Sequence, residues 1–286
     1  MARRYYSSRK NPGSLDLDGL LLKFQNLYLF FCGKDYFKQK AGITEQDLPQ
    51  AIQQEALIDL GFDAFPITKW AAADMTEDHV FDVLEFLFDR ASKPGNWTAM
   101  ISDTGFNYYD YDSYDEAAGR AEFRERVNSF LADYPPGYEL NENGFVVRLG
   151  TDGLQYILKA EIVPYDEINV DSKVRGAIEK WRSRHASKED KKEAIRALAD
   201  VFEWLKKTKR LDKVLNHKDE SVLFDIANNF AIRHHNPSQK TNYDKDIWFS
   251  WMFHFYLATC HAAIRLLVKS EKQKPVGSGS QSLRRP

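Results

Sequence analysis

Asp219-Glu-Ser-Val-Leu-Phe-Asp-Ile-Ala-Asn-Asn-Phe-Ala-Ile-Arg-His-His-Asn-Pro237 decides how the second half of this chain is read. The stretch predicts a helix from Asp219 to His235 that breaks at Pro237, because the residue before a proline avoids the helical region. Adjacent helical residues point about 100° apart, so Arg233, His234 and His235 can share a pocket only where the helix ends. Two readings follow. The histidines are caps, their ring protons meeting the last free carbonyls and the negative end of the dipole. Or the cluster is a site, since an always-charged guanidinium beside two groups that titrate near neutrality can hold a phosphate and move protons around it. Asn228, Asn229, Asn236, Gln239, Lys240, Asn242 and Tyr243 crowd polar groups into the same segment, which favours the site.

Helical patterns lie on both sides of this stretch. Val170–Arg184 reads as one helix, and Ser187-Lys-Glu-Asp190 is a capping box opening another through Ile195, Leu198, Val201, Phe202 and Leu205. Asn242-Tyr-Asp244 caps a long last helix from Lys245 to about Val268, with Trp248, Trp251, Met252, Phe255 and Leu257 supplying bulk. Four helices with short connections predict a bundle over residues 165–270.

Residues 15–164 predict an acidic α+β domain. Apolar residues recur at helical spacing from Leu15 to Phe37, Thr44-Glu-Gln-Asp47 looks like a second helix start, and Thr76-Glu-Asp-His79 opens a third. Asn107–Tyr114 reads as an acidic, tyrosine-rich loop, followed by a helix from about Ser113 to Ala132. Tyr138-Glu-Leu140 and Phe145–Leu149 alternate around Asn141-Glu-Asn-Gly144, a hairpin signal, and Leu154–Val163 could add a third strand. A helix followed by a hairpin also suits a winged DNA-binding unit, but Glu139, Glu142 and Asp152 make a poor phosphate-facing wing. The expected fold is therefore mainly α, a C-terminal helical bundle preceded by an α+β domain with a small hairpin or sheet. Residues 1–14, which are basic, and 271–286 are expected to be disordered tails.

Charge is divided between the halves. Residues 1–164 hold 16 of the 40 Lys/Arg and 26 of the 42 Asp/Glu, a balance of −10, which leaves 24 basic against 16 acidic residues, or +8, for the rest. A basic module suits a polyanion and an acidic one could cover it, or the two simply dock on each other. Cys32 and Cys260 read as buried thiols of a reducing compartment. The N-terminus has no apolar signal region and no apolar run appears long enough to span a bilayer, so a cytoplasmic protein without membrane contact is expected. His254 and His261, seven residues apart on the last helix, read as satisfied core histidines. No metal site or cofactor is expected. The basic run Lys206–Arg210 complements a helix end and could also receive an RNA backbone.

Leu198-Ala-Asp-Val-Phe-Glu203, the Asp219–His235 stretch, Tyr243, Trp248-Phe-Ser-Trp251 and Tyr256-Leu-Ala-Thr259 together resemble the C-terminal HEPN-like bundles of bacterial abortive-infection proteins, over about residues 165–270. The resemblance implies a helical bundle that dimerises and, in many members, a metal-independent RNase whose motif is Arg, a polar residue, four to six residues, then His. Arg233-His234 would begin that motif. Its closing position falls on Gln239, Lys240 or Thr241, none of them histidine, so His235 takes the missing role, Lys240 does a charge-only job, or the bundle has lost cleavage. The resemblance thus implies an endoribonuclease or RNA-binding effector in anti-phage defence or toxin-type growth arrest. Arg233, His234 and His235 would be catalytic, Asn229, Asn236, Lys240 and Tyr243 would bind RNA, and the product would carry a 2',3'-cyclic phosphate. The expected partners are RNA, a second copy through the bundle that brings both Arg233-His235 segments to one cleft, and a phage or host protein as trigger sensed by residues 15–164. The alternative is a noncatalytic interaction or dimerisation module.

Overall fold

The computed structural model describes residues 15–101, 107–150, 153–230, 232 and 243–272. Among these the chain is mainly helical, with three separate two-stranded antiparallel sheets. It divides into two compact units, Met1–Leu149 and Gly150–Pro286, each with its own apolar core. The division falls after Leu149 rather than after Pro164, because Leu158 is buried in the second core and Ile157, Ile162 and Val163 pack against it.

In the first unit, α1 (Leu17–Cys32) starts on Asp16, whose carboxylate accepts from the Gly19 amide at 2.9 Å. It buries Leu20, Phe24, Tyr28 and Phe31, and it stops at Cys32 rather than Phe37. A short α2 (Lys38–Ala41) follows, closed by Gly42 in the left-handed region. Thr44 does not open a helix. Its hydroxyl accepts from the Gln46 and Asp47 amides at 3.3 and 3.0 Å in a local turn, and α3 (Gln50–Leu60) begins only after Pro49. Leu48 precedes that proline and is biased to extended backbone, which delays the helix. α4 (Glu77–Arg90) carries the expected capping box, Thr76 with His79, and buries Val80, Val83, Leu84 and Leu87.

The tyrosine-rich segment read as a loop is a strand. After β1 (Lys93–Pro94), β2 (Trp97–Ile101) pairs antiparallel with β3 (Asn107–Tyr111), Trp97 opposite Tyr111 and Ile101 opposite Asn107. Tyrosine favours strands, and the Trp97 ring meets the diagonal Tyr109 ring at 4.9 Å, a cross-strand pair that outweighs the acidic composition. β4 (Tyr114–Asp115) returns to β1, and Asp115 caps α5 (Glu116–Leu131). The expected hairpin is present as β5 (Tyr138–Leu140) and β6 (Val146–Arg148). Gly144 has φ +87° and a Cβ there would lie 2.4 Å from Phe88 Cδ1, so both the turn and its packing on α4 require glycine.

The second unit opens with α6 (Gln155–Leu158) where a third strand was expected. The β5–β6 pair gains no third member, and the apolar residues of 154–163 serve the helical core instead. A π turn over Glu167–Asp171 leads into α7 (Ser172–Arg182), shorter than the predicted Val170–Arg184. α8 (Lys188–Lys207) has its Ser187–Asp190 capping box and buries Ile195, Leu198, Val201, Phe202 and Leu205. α9 (His217–Asn229) starts on Asn216, and α10 (Lys245–Lys272) extends past the point where the tail was expected to begin. Phe249, Phe253, Tyr256 and Cys260 of α10 close the core, with Trp181 of α7 stacked on Phe253 at 4.3 Å. Each such side chain taken from water contributes about 1.5–3 kcal/mol.

α10 bears on the expectation that no apolar run is long enough to span a bilayer. By length and composition it is apolar enough to cross a bilayer, although 56% of its most apolar window is buried inside the fold. The apolar residues sit on two faces, one in the core and one outward.

Candidate functional site

The candidate residues Arg233, His234, His235, Asn236 and Lys240 lie outside the described residues, as does the side chain of Asn229. The frame that holds their segment is described. α9 ends at Asn229, earlier than Pro237 would require, and the Ile232 amide donates to the Ala227 carbonyl at 3.1 Å. Asn228 and Asn229 are poor helix formers, which helps the ladder stop there. Asn229 is thus the last residue of the described helix.

Both ends of the segment are fastened to the bundle. Ile232 is fully buried, and its carbonyl accepts from Nε of Arg196 on α8 at 3.0 Å. On the other side the Tyr243 hydroxyl donates to the Phe230 carbonyl at 2.9 Å, and the two rings meet edge to face at 5.3 Å. Phe230 also lies against Trp248 at 5.1 Å. Asp244 then caps α10, accepting from the Asp246 and Ile247 amides at 3.0 and 3.1 Å. Tyr243 is half-buried, and burial holds its phenol above the ordinary range, so at neutral pH it is a neutral donor within the frame. Arg196 is the residue that sequence reasoning missed. A charged side chain beside the core positions Ile195 and Leu198 is a signal, but nothing local reveals a carbonyl partner in α9's exit.

Neighbouring charge is positive and partly neutralised. Asp246 sits 3.2 Å from Lys188 and 3.9 Å from Lys191, and the Lys191 ammonium lies over the Trp181 ring. In the basic run, Lys206 pairs with Glu220 at 2.6 Å and Arg210 lies over the Tyr165 and Trp204 rings.

His254 and His261 are buried, as expected, but not fully satisfied. Nδ1 of His254 bonds the Ser250 carbonyl at 2.7 Å, while Nε2 of both rings has no partner among the described residues. Desolvation lowers both imidazole pKa values, with the charge of Arg265 adding to the effect at His261. Burial pushes the Cys260 thiol up to about 12, which makes it inert near neutrality. Among the described residues no three His, Cys, Asp or Glu side chains gather to hold a metal.

The first unit carries a surface cavity of about 760 Å³ whose lining includes Glu55, Asp59, Asp82, Glu85, Asp89 and Arg90. Arg90 stacks on Phe86 and pairs with Glu55, and Glu85 accepts from the Val146 amide at 2.6 Å. Part of its charge is thus spent on holding α3, α4 and the β5–β6 hairpin together.

Comparison with protein-family models, with curated proteins and with solved structures finds no match to this chain. The likeness to HEPN bundles rests on the residues quoted above.

Proposed function

We propose that the second unit is an RNA-binding bundle of HEPN-like type, acting as an effector of bacterial anti-phage defence or growth arrest, with Arg233, His234 and His235 as its RNA-contacting and cleaving group. The observation that carries this reading is the frame: a segment holding a guanidinium and two imidazoles is tied down at Ile232 by Arg196 and at Tyr243 by Phe230, in the basic half of the chain. Functional groups on a loop need such a rigid base.

The chemistry is transesterification. A base takes the proton of the ribose 2'-hydroxyl, the oxygen attacks the adjacent phosphorus, and an acid protonates the departing 5'-oxygen. Arg233 balances the charge that builds on the phosphoryl oxygens. His234 and His235 supply base and acid, and the products are a 2',3'-cyclic phosphate and a 5'-hydroxyl end. The working form is a homodimer through the bundle, in the cytoplasm, with residues 15–149 as the part that receives a phage or host trigger.

The test is incubation of the full chain with a mixed RNA pool in excess EDTA, with end-group analysis. Cleavage to cyclic phosphate ends that Arg233→Ala abolishes, with the circular dichroism spectrum unchanged, is the expected result. Full cleavage by Arg233→Ala overturns the site, and dependence on magnesium or manganese overturns the mechanism. The second reading, a noncatalytic interaction module, is favoured by one observation: Trp248 and Trp251 of α10 are 39% and 43% exposed. It takes over if the chain neither binds nor cuts RNA.

A further inference from the structure

The β2–β3 ribbon is held by the first unit through β3. The Tyr109 carbonyl accepts from Nζ of Lys38 at 2.5 Å, the same ammonium lies 5.3 Å from the centre of the Tyr111 ring, and the Tyr111 hydroxyl donates to Asp35 at 2.9 Å. On the β2 side the sheet ends, since among the described residues it has two strands. All five residues of β2 are exposed, Trp97 at 60% and Ile101 at 72%. In an antiparallel pair every second residue turns its N–H and C=O away from the partner strand, so β2 presents a row of backbone groups to its open side. Such edges are usually guarded by lysine, proline or a bulge. Trp97-Thr-Ala-Met-Ile101 has no charge and no proline, and it pairs residue for residue with β3.

We infer that β2 accepts an extended, basic segment of another protein as a third strand. The side chains of the ribbon say which segment fits. Thr98 lies opposite Asp110 on one face, and Ala99 lies opposite Tyr109 on the other. Strands lie about 4.8 Å apart, so a residue added beside β2 sits about 10 Å from its counterpart on β3, and its side chain reaches that far only across a small neighbour. Thr98 and Ala99 are such neighbours. A lysine or arginine beside Thr98 extends over it to the exposed Asp110 carboxylate, which has no ion pair among the described residues. An apolar side chain beside Ala99 meets the exposed Tyr109 ring, 4.9 Å from the Trp97 ring. The partner segment therefore alternates basic and apolar residues. Lys38 on Tyr111 is an instance of a lysine ammonium held by these rings, and the acidic balance of the first half adds attraction at longer range. A second copy of β2 does not fit this description, because it brings no cation to Asp110.

Strand addition draws affinity from main-chain bonds and specificity from alternate side chains. The surface gives a place and a partner class to the trigger-receiving role proposed for residues 15–149, and it rests on that reading only in calling the partner a trigger. Binding is measured without RNA, so its failure and the failure of the nuclease reading are separate results.

The probe is a fluorophore-labelled peptide, acetyl-Lys-Val-Lys-Val-Lys-Val-amide, titrated against the full chain by fluorescence anisotropy. Saturable binding is expected, weakened roughly tenfold by Ala99→Lys, which places a guarding charge on the edge, and by a smaller factor by Asp110→Asn. Both positions are exposed, so the variants keep their fold, which circular dichroism checks. Backbone methylation reads the binding mode. Only alternate amides of an added strand bond to β2, so N-methyl groups on one alternating set should abolish binding while those on the other set leave it. No saturable binding at millimolar peptide, full binding by Ala99→Lys, or equal loss from both methylated sets overturns the proposal. So does a peptide-free chain that dimerises and loses its dimer in Ala99→Lys, since a second copy would then hold the edge.

Discussion

Arg196→Met should loosen the base of the Arg233–His235 segment. The side chain is half-buried on α8 and its Nε donates to the carbonyl of Ile232, the last described residue before that segment. A hydrogen bond to a charged group contributes about 1.5–3 kcal/mol, and half exposure places this one near ~1.5 kcal/mol. Methionine keeps most of the aliphatic stem, so the loss isolates the bond rather than the packing. In calorimetry of the full chain, the transition of the second unit should fall by roughly 4–7 °C. Tyr243→Phe removes the other tether, and the double variant should cost less than the two singles together, by about 0.5 kcal/mol or more, because both close the same segment. If Arg196→Met leaves that transition within a degree of the parent, or if the two substitutions are strictly additive, the two-point frame does not hold the segment.

The buried imidazoles make the second unit acid-sensitive. Folding lowers the pKa values of His254 and His261 below 6.5, so below about pH 6.5 the unfolded chain binds more protons and stability falls with pH. Urea unfolding at pH 7.5 and 5.5 should show this loss reduced in His254→Leu/His261→Leu; an equal loss in parent and variant would place the sensitivity elsewhere. Gly144→Ala should destabilise the first unit by about 2 kcal/mol or more, since it adds left-handed strain to a contact with Phe88, and an unchanged urea midpoint would refute that. Tyr256→Phe should cost about 1 kcal/mol in the second unit through the lost hydroxyl bond to the Leu223 carbonyl, measured by the same unfolding.

Local signals were legible wherever chemistry and geometry act within four residues. Thr76 with His79 and Ser187 with Asp190 could be read as capping boxes because each bond closes inside one helical turn. Gly144 could be read because a hairpin turn constrains φ whatever surrounds it. The periodic apolar residues of α8 named its buried face, and two core cysteines followed from their apolar settings. The Arg233–His235 cluster and the opposite charges of the two halves are likewise properties of the sequence alone.

Other features required the tertiary structure, because their deciding partners are distant in the chain. Whether the tyrosine segment was loop or strand depended on Trp97–Ile101 arriving beside it, and whether Leu154–Val163 was strand or helix depended on which core took its apolar side chains. Period and composition cannot name a neighbour. The same holds for the site's frame: the carbonyl of Ile232 finds Arg196, and Tyr243 finds Phe230, only once four helices have packed. It holds most clearly for α10, where aromatic bulk was visible from the start but the split into a core face with Tyr256 and an outward ridge with Trp248 and Trp251 was not. An all-round apolar helix carries no period from which to read its buried side, and only packing against α7 and α8 chose it.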